Sequence, residues 1–432
     1  MLRLNLIVFG FALAAYVLQV LCFPFPLTTR DVLHQMFVVT GVAAWILMAE
    51  AMVIAARPAW LERIAGEPLD RLMAAHKKIG WAMVAFLALH VAAPWIRDLF
   101  PLIQVPMMEE HHITGFWQGV WTYLHPLGGL TAILITIYGA TVIYRDALRG
   151  MRKIAWPRWE KAHMMWAWIF LGLALHAVRS LKETELFMPL GWITVASTVI
   201  GCWAAVRILR GRKGSPIRSG GTVEKAAGDG DVLFLTVRTA KAKEIRAGEF
   251  VYLSLPGDRE DSHPFTVAGS DPERETLFFW IKEAGEWTKA LGRSKPGDTL
   301  FIEGPFGTFT PDFPIEGNEA WVAGGAGIAP FIGWLEELKE ARKAGKSAPQ
   351  VTLWWSVRHR AEGGLPFVTA LANEAGAKLV VHETGDRHVH LPPEEVLQGN
   401  PDRIAVCGKP GLTRSLRAAW KGGARSFRSE AY

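Results

Sequence analysis

Four histidines stand where histidine is costly. His76 and His90 are 14 residues apart, and His163 and His176 are 13 apart, in or beside long apolar stretches. At 1.5 Å of helix rise per residue, those separations are about 21 and 20 Å. Neutral imidazole ligates haem iron well, and two axial imidazoles leave no open position on the metal. Four histidines at two matched depths suit two stacked haems of that kind. Fourteen residues keep one helix face; thirteen turn the second ring off it, which a rotamer or a local helix distortion must absorb. His34 and His125 have no partner at a matching depth and read as structural or surface residues.

Such a ladder needs helices that cross an apolar layer. Residues 4–29 carry no charged side chain and 32–56 carry only Glu50. The blocks 79–96, 126–144, 162–178 and 186–206 lack Asp, Glu, Lys and Arg altogether. A bilayer core needs about 20 apolar residues as helix, so the expectation is six transmembrane helices. Helices three and five then run the same way, which puts His76 level with His163 and His90 level with His176. Glu50 reads as a packing or pairing residue near the cytoplasmic end of the second helix. Segment 57–78 holds five Lys and Arg and 145–161 holds six, whereas 97–124 has only Arg97 beside three acids. The positive-inside rule makes the first two cytoplasmic. The N-terminus and everything beyond about residue 210 fall on the same side.

The chain has 432 residues, 50% of them hydrophobic and 20% charged, with 19 Trp and a formal net charge of +6. That excludes a disordered or fibrous protein. Three Cys exclude a disulfide scaffold; Cys22 and Cys202 read as packing residues. No basic run interleaved with aromatics appears, so nucleic acid is not an expected partner.

After a linker at 211–217 the pattern changes. Short β-type runs at Val232–Arg238, Phe250–Leu255, Leu277–Lys282 and Thr299–Ile302 suggest a small antiparallel barrel. From about 319, strands at Ala320–Ala323, Val351–Val357, Lys378–His382 and Arg403–Val406 alternate with helices at 328–343, 364–374 and 411–420. Such alternation means a parallel sheet. The expected organisation is 1–210, a six-helix transmembrane bundle; 218–314, an antiparallel β-barrel domain; and 315–432, an α/β parallel-sheet domain. Gly324-Gly325-Ala326-Gly327-Ile328-Ala329-Pro330 joins a strand to a helix. Its glycines would let backbone approach a phosphate, and Pro330 fits a helix's first turn.

His263-Pro264-Phe265-Thr266, then Gly285-Glu286-Trp287-Thr288, then Glu303-Gly304-Pro305-Phe306-Gly307, make the soluble half resemble a flavoprotein of the ferredoxin–NADP reductase type. With the helices and paired histidines, nearly the whole chain resembles the transmembrane ferric reductase and NADPH oxidase superfamily. The resemblance implies FAD, NADPH and two b-type haems as cofactors. It implies that His263, Pro264, Phe265 and Thr266 line the flavin, and that Gly285 and Thr288 meet its pyrophosphate. It also implies that Gly324, Gly325, Gly327 and Pro330 form the nicotinamide-nucleotide loop. Cys407 and Gly408, ending a later strand, would face the nicotinamide. Tyr432 would stack on the flavin with Glu430 beside it. Arg358 and Arg360, after the second strand of the sheet, would meet an adenosine 2′-phosphate and favour NADPH.

The expected activity is transmembrane electron transfer from cytoplasmic NADPH through FAD and the haems, with His76, His90, His163 and His176 as iron ligands. The chain would sit in a bacterial plasma membrane, with lipid around it. Dioxygen, giving superoxide, is the favoured small-molecule acceptor, with Arg179 placed to stabilise the developing charge. A ferric chelate or a protein acceptor is the alternative. The outer loop Met107-Met108-Glu109-Glu110-His111-His112 is a weak metal signal in favour of the chelate.

Overall fold

The computed structural model describes residues 29–58, 60–99, 156–179, 189–210, 219–256, 262–312, 316–359, 363–385, 390–423 and 426–431, with a few isolated residues before 29 and at 137–138. It divides into two units that meet in sequence at residues 214–215, with residues 68–70 grouped with the second.

The first unit is helical. Its described elements are α1 (Thr29–Ala56), α2 (Leu61–Ala65), α3 (Leu69–Leu99), α4 (Trp156–Arg179) and α5 (Pro189–Leu209). Among the described residues, three helices are long and apolar enough to cross a membrane: Gln35–Ala56, Leu69–Ala92 and Pro189–Leu209. Ala162–Val178 is a shorter apolar helix. The expected spans at 4–29 and 126–144 lie almost wholly outside the described residues. Helix α3 begins ten residues before its charge-free block. Asp70, Arg71, Lys77 and Lys78 stay helical because charge limits membrane burial, not helix formation.

Aromatic packing ties three of these helices together. Trp45 on α1 stacks on Phe170 of α4, with ring centroids 4.2 Å apart. Its indole N–H donates to the Thr198 hydroxyl on α5 at 2.9 Å. Gly201, one turn further along α5, makes room for the Phe170 ring, since a Cβ there would lie 2.2 Å from Phe170 Cζ. Close helix contact through a small residue is usual where lipid removes the hydrophobic drive for association.

The second unit opens with a closed barrel in the order β1-β2-β5-β4-β3-β6. Its strands are β1 (Ser219–Asp229), β2 (Val232–Arg238), β3 (Phe250–Ser254), β4 (His263–Asp271), β5 (Thr276–Lys282) and β6 (Thr299–Phe306). Inward residues such as Leu235, Val251, Val267, Phe279 and Ile302 are fully buried, as period-two patterning requires. A short helix, α6 (Glu286–Gly292), packs beside it.

A five-stranded sheet follows in the order β11-β10-β7-β8-β9, every pair parallel. Its elements are β7 (Asn318–Gly324), α7 (Ala329–Lys343), β8 (Gln350–Val357), α8 (Leu365–Glu374), β9 (Lys378–Glu383), α9 (Pro393–Leu397), β10 (Arg403–Gly408), α10 (Pro410–Ala419) and β11 (Phe427–Ala431). Both faces are covered, as in parallel sheets generally. Trp321, Leu353, Trp355 and Cys407 pack under α7 and α8, while Ala320, Val322, Ile404 and Val406 pack under α9 and α10.

Among the contacts that join barrel and sheet, two involve Asp229 and Phe309. The carboxylate of Asp229, the last residue of β1, accepts the Gly364 N–H at 2.9 Å at the start of α8. Phe309 packs on Trp334 of α7 with centroids 4.8 Å apart.

Candidate functional site

In the helical unit, α3 and α4 bring His76 and His163 face to edge. Their ring centroids are 5.9 Å apart and the rings are nearly perpendicular, at 78°. Metal–nitrogen bonds of about 2.0–2.1 Å on both sides of one ion put the two ring centres roughly 6 Å apart. The distance between the two rings matches that spacing.

His90 is arranged differently. Its ring stacks on Phe37 of α1 at 4.0 Å, and its Nδ1 lies 3.0 Å from the Phe37 carbonyl oxygen. A carbonyl only accepts, so Nδ1 carries the proton and Nε2 keeps the lone pair a metal needs. Gly41 opens the space for this ring, since a Cβ there would fall 2.7 Å from His90 Cε1. His176, its expected partner in depth, is exposed on α4. Midway along α4 between His163 and His176 sits Phe170, fully buried against Trp45. Glu50, read as a packing or pairing residue, has both carboxylate oxygens buried with no hydrogen-bond partner among the described residues.

In the second unit, β4 and α6 put an aromatic group at the barrel surface. His263 and Phe265, alternate residues of β4, both pack on Trp287, at 4.5 and 5.5 Å between centroids. Pro264 is exposed, and Thr266 is partly so. The sequence alone gave Trp287 no role, although an aromatic between Gly285 and Thr288 is a signal that points to one. A Cβ on Gly285 would meet nothing within 4 Å, so the approach to the start of α6 is open. The aromatic face and that opening fit a flat ring system with a phosphate tail. Thr288 is already engaged. Its hydroxyl oxygen accepts the Ala284 and Gly285 N–H groups at 3.0 and 3.1 Å and donates to the Gly285 carbonyl at 2.9 Å. It must leave that carbonyl to reach a phosphate.

The C-terminal ends of β7 and β10 bring the two glycine loops together. A Cβ on Gly327 would strike the Cys407 carbonyl oxygen at 2.2 Å, and one on Gly408 would lie 3.3 Å from Gly324 Cα. Gly325 has φ of +53° and its carbonyl accepts the Trp355 indole N–H at 3.0 Å. Pro330 sits in the first turn of α7. These glycines are thus required by each other as well as open to a ligand.

Cys407 is buried in the sheet core beside Glu430, its register partner on β11. Burial first, and the Glu430 carboxylate second, push the Cys407 thiol well above the usual thiol range. The group is a neutral thiol, not a nucleophile. Arg358 is exposed at the end of β8, and its carbonyl accepts the Gly385 N–H at 2.9 Å. Arg360, Tyr432 and the 107–112 loop lie outside the described residues, as does the side chain of Arg179.

Residues 40–174 match the family described as ferric reductase like transmembrane component, and 222–310 match an FAD-binding domain. A superoxide-generating NADPH oxidase heavy chain of Dictyostelium discoideum is 23% identical over 321 residues, 68% of this chain and 60% of that protein. Ferric reduction oxidase 8, mitochondrial, of Arabidopsis thaliana is 23% identical over 260 residues, 57% of this chain and 33% of that protein. The chain thus spans less than two thirds of either relative. Among solved structures, ferredoxin-NADP+ reductase from Plasmodium falciparum with 2'P-AMP is similar over 50% of this chain and 96% of its own, at 16% identity and a TM-score of 0.42. An Amycolatopsis cytochrome P450 reductase is similar over 50% and 69%, at 20% identity and a TM-score of 0.42.

Proposed function

Because the chain belongs to the transmembrane ferric reductase and NADPH oxidase superfamily, we propose that it takes electrons from NADPH at its flavoprotein half and delivers them across a membrane to dioxygen. The observation that carries this reading is the facing pair His76 and His163, 5.9 Å ring to ring within apolar helices. Ionisable side chains in spanning helices are costly and mark functional positions. When bound, FAD would take the hydride and two b-type haems would pass single electrons, chemistry that side chains lack.

The chain's own residues hold and orient these groups. His76 and His163 would ligate at the inner level, His90 and His176 at the outer. The Phe37 carbonyl fixes the His90 tautomer through Nδ1. His263, Pro264, Phe265 and Thr266, backed by Trp287, line the flavin, with Gly285 and Thr288 at its pyrophosphate. Gly324, Gly325, Gly327 and Pro330 receive the nucleotide, and Arg358 with Arg360 takes a 2′-phosphate. Cys407 and Gly408 border the nicotinamide, with Glu430 and Tyr432 closing the crevice. The flavoprotein half faces the cytoplasm.

Two histidines for each iron would leave dioxygen no position on the metal, so it would meet the electron at the outer surface. Arg179, ending α4 three residues past His176, supplies a cation for developing superoxide. One NADPH carries two electrons, so two dioxygen molecules become two superoxide anions, with NADP+ and a proton released. The test is NADPH-driven cytochrome c reduction by the purified protein with and without superoxide dismutase. Dismutase-sensitive reduction supports the reading. Dismutase-insensitive reduction, with fast anaerobic reduction of a ferric chelate, would replace dioxygen by the chelate.

A further inference from the structure

Alternate residues of a strand share a face. On β11, Arg428 lies opposite Ala405 and Glu430 lies opposite Cys407. Ala405 and Cys407 belong to the core cluster that holds Phe309, Trp321, Phe331 and Trp334. Arg428 and Glu430 therefore face the side of the sheet where the chain arrives from the barrel.

Both touch that arriving segment. Arg428 donates to the carbonyl of Thr310 at 2.5 Å and to that of Thr308 at 3.4 Å. Its guanidinium also lies over the rings of Trp334 and Phe309, 5.1 and 5.5 Å from their centroids. Glu430 is buried, and its Oε1 is 3.3 Å from where a Cβ would stand on Gly307. Gly307 has φ of +85°, a conformation that favours glycine, so the chain can turn there beneath the carboxylate. Successive inward residues of β11 thus lie along one crossing, Glu430 beside Gly307 and Arg428 at Thr308 and Thr310.

Burying part of a guanidinium costs free energy unless its N–H groups find acceptors. Two carbonyls and two aromatic faces meet that need here. Lysine keeps the charge and much of the stem but loses the planar group that lies over the Trp334 and Phe309 rings. The position is built for orientation, not charge alone.

We propose that Arg428 is a positioning residue: its guanidinium, bonded through Nη2 to the Thr308 and Thr310 carbonyls and laid over the Trp334 and Phe309 rings, fixes β11 against the barrel exit and so holds Glu430 beside Gly307, opposite Cys407. This rests on the reading that Cys407 and Glu430 border the nicotinamide. The role is to keep the carboxylate in register for hydride transfer to the flavin. A displacement of about 1 Å at such a group can cost up to two orders of magnitude in rate.

The experiment is anaerobic stopped-flow reduction of the flavin by NADPH and by its 4-deuterated form, in the full-length protein loaded with FAD and haem. The variants are Arg428→Lys, Arg428→Ala, Glu430→Gln and the Arg428→Lys/Glu430→Gln double. Arg428→Lys should keep its FAD content and its KM for NADPH within about twofold while flavin reduction slows about tenfold. Its deuterium isotope effect should rise, because the hydride step has become limiting. Glu430→Gln should slow the same step, and the double variant should be no slower than Glu430→Gln alone, since both act through one group. If Arg428→Ala does not fold, the lysine variant carries the test. Multiplying defects in the double variant, or loss of FAD in both Arg428 variants, would make Arg428 a structural staple and overturn the proposal. Wild-type flavin reduction in Arg428→Lys with a slow Glu430→Gln would overturn it and leave the hydride site standing. Wild-type rates in both would remove Glu430 from the hydride site, and the proposal with it.

Discussion

In the helices, His76 and His163 turn imidazoles toward each other among apolar neighbours, whereas in the sheet Gly324, Gly327 and Gly408 turn bare backbone toward one another. The two arrangements carry different weight. The glycines have an internal reason to exist, because the ends of β7 and β10 could not approach otherwise. Thr288 likewise has work inside its own helix start. Packing alone gives no comparable reason for two imidazoles at one depth of apolar helix. A motif made of residues that the fold itself needs is therefore weaker ground for a ligand than costly residues that the fold does not need.

The largest effect that would sharpen this contrast is at Gly327. Gly327→Ala drives a Cβ to 2.2 Å from the Cys407 carbonyl oxygen and should cost about 3 kcal/mol. Thermal melts should show the loss with and without NADPH. A normal melt with weak nucleotide binding would move Gly327 from packing to ligand contact. Next is Arg358, exposed just past the end of β8. Arg358→Ala should lower kcat/KM for NADPH roughly 10–150-fold, the worth of one charge-assisted phosphate contact, with NADH nearly unchanged. Equal use of both nucleotides by the wild type would return it to the surface.

Much of the second unit could be read from patterning because its strands are short, apolar and bounded by turns. Val232–Arg238 has the same limits in the fold, and Lys378–His382 is extended by one residue. β1 was not readable. Its sequence Ser-Gly-Gly-Thr-Val-Glu-Lys-Ala-Ala-Gly-Asp has little β propensity, and it is a strand because β2 and β6 pair with it. β11 was not readable as a strand for the same reason: five residues bearing Arg and Glu become a strand only beside β10. That is why Arg428 leaves no mark in the sequence, since its role depends on carbonyls about 120 residues away. In the helices, the spacing of the four histidines is visible, but not that His90 stacks on Phe37 and uses Gly41 for room. Such contacts between helices leave no periodic trace.

Smaller effects bear on the same contrast. Thr288→Ala removes the acceptor of two backbone N–H groups and should lower stability by about 1 kcal/mol, with Thr288→Ser restoring it. FAD affinity falling while the melt holds would instead tie the hydroxyl to the pyrophosphate. The smallest concerns Cys407. Its folded pKa is raised by burial and by Glu430, so its stabilising contribution is full below the unfolded thiol pKa and is lost as pH rises through the folded value. Native protein at about pH 8, near the ordinary thiol pKa, should resist alkylation at Cys407 that the unfolded chain undergoes. Rapid labelling of the native protein would mean an accessible, reactive thiol.

The most direct test of the histidine ladder is haem stoichiometry by pyridine haemochrome on the purified chain and its single variants. The wild type should hold about two b-type haems, the number its four histidines can ligate in pairs. His76→Ala and His163→Ala should each leave about one and stop electron flow beyond the flavin, while His90→Ala and His176→Ala should each remove the other. Haem content unchanged in all four variants would contradict the account.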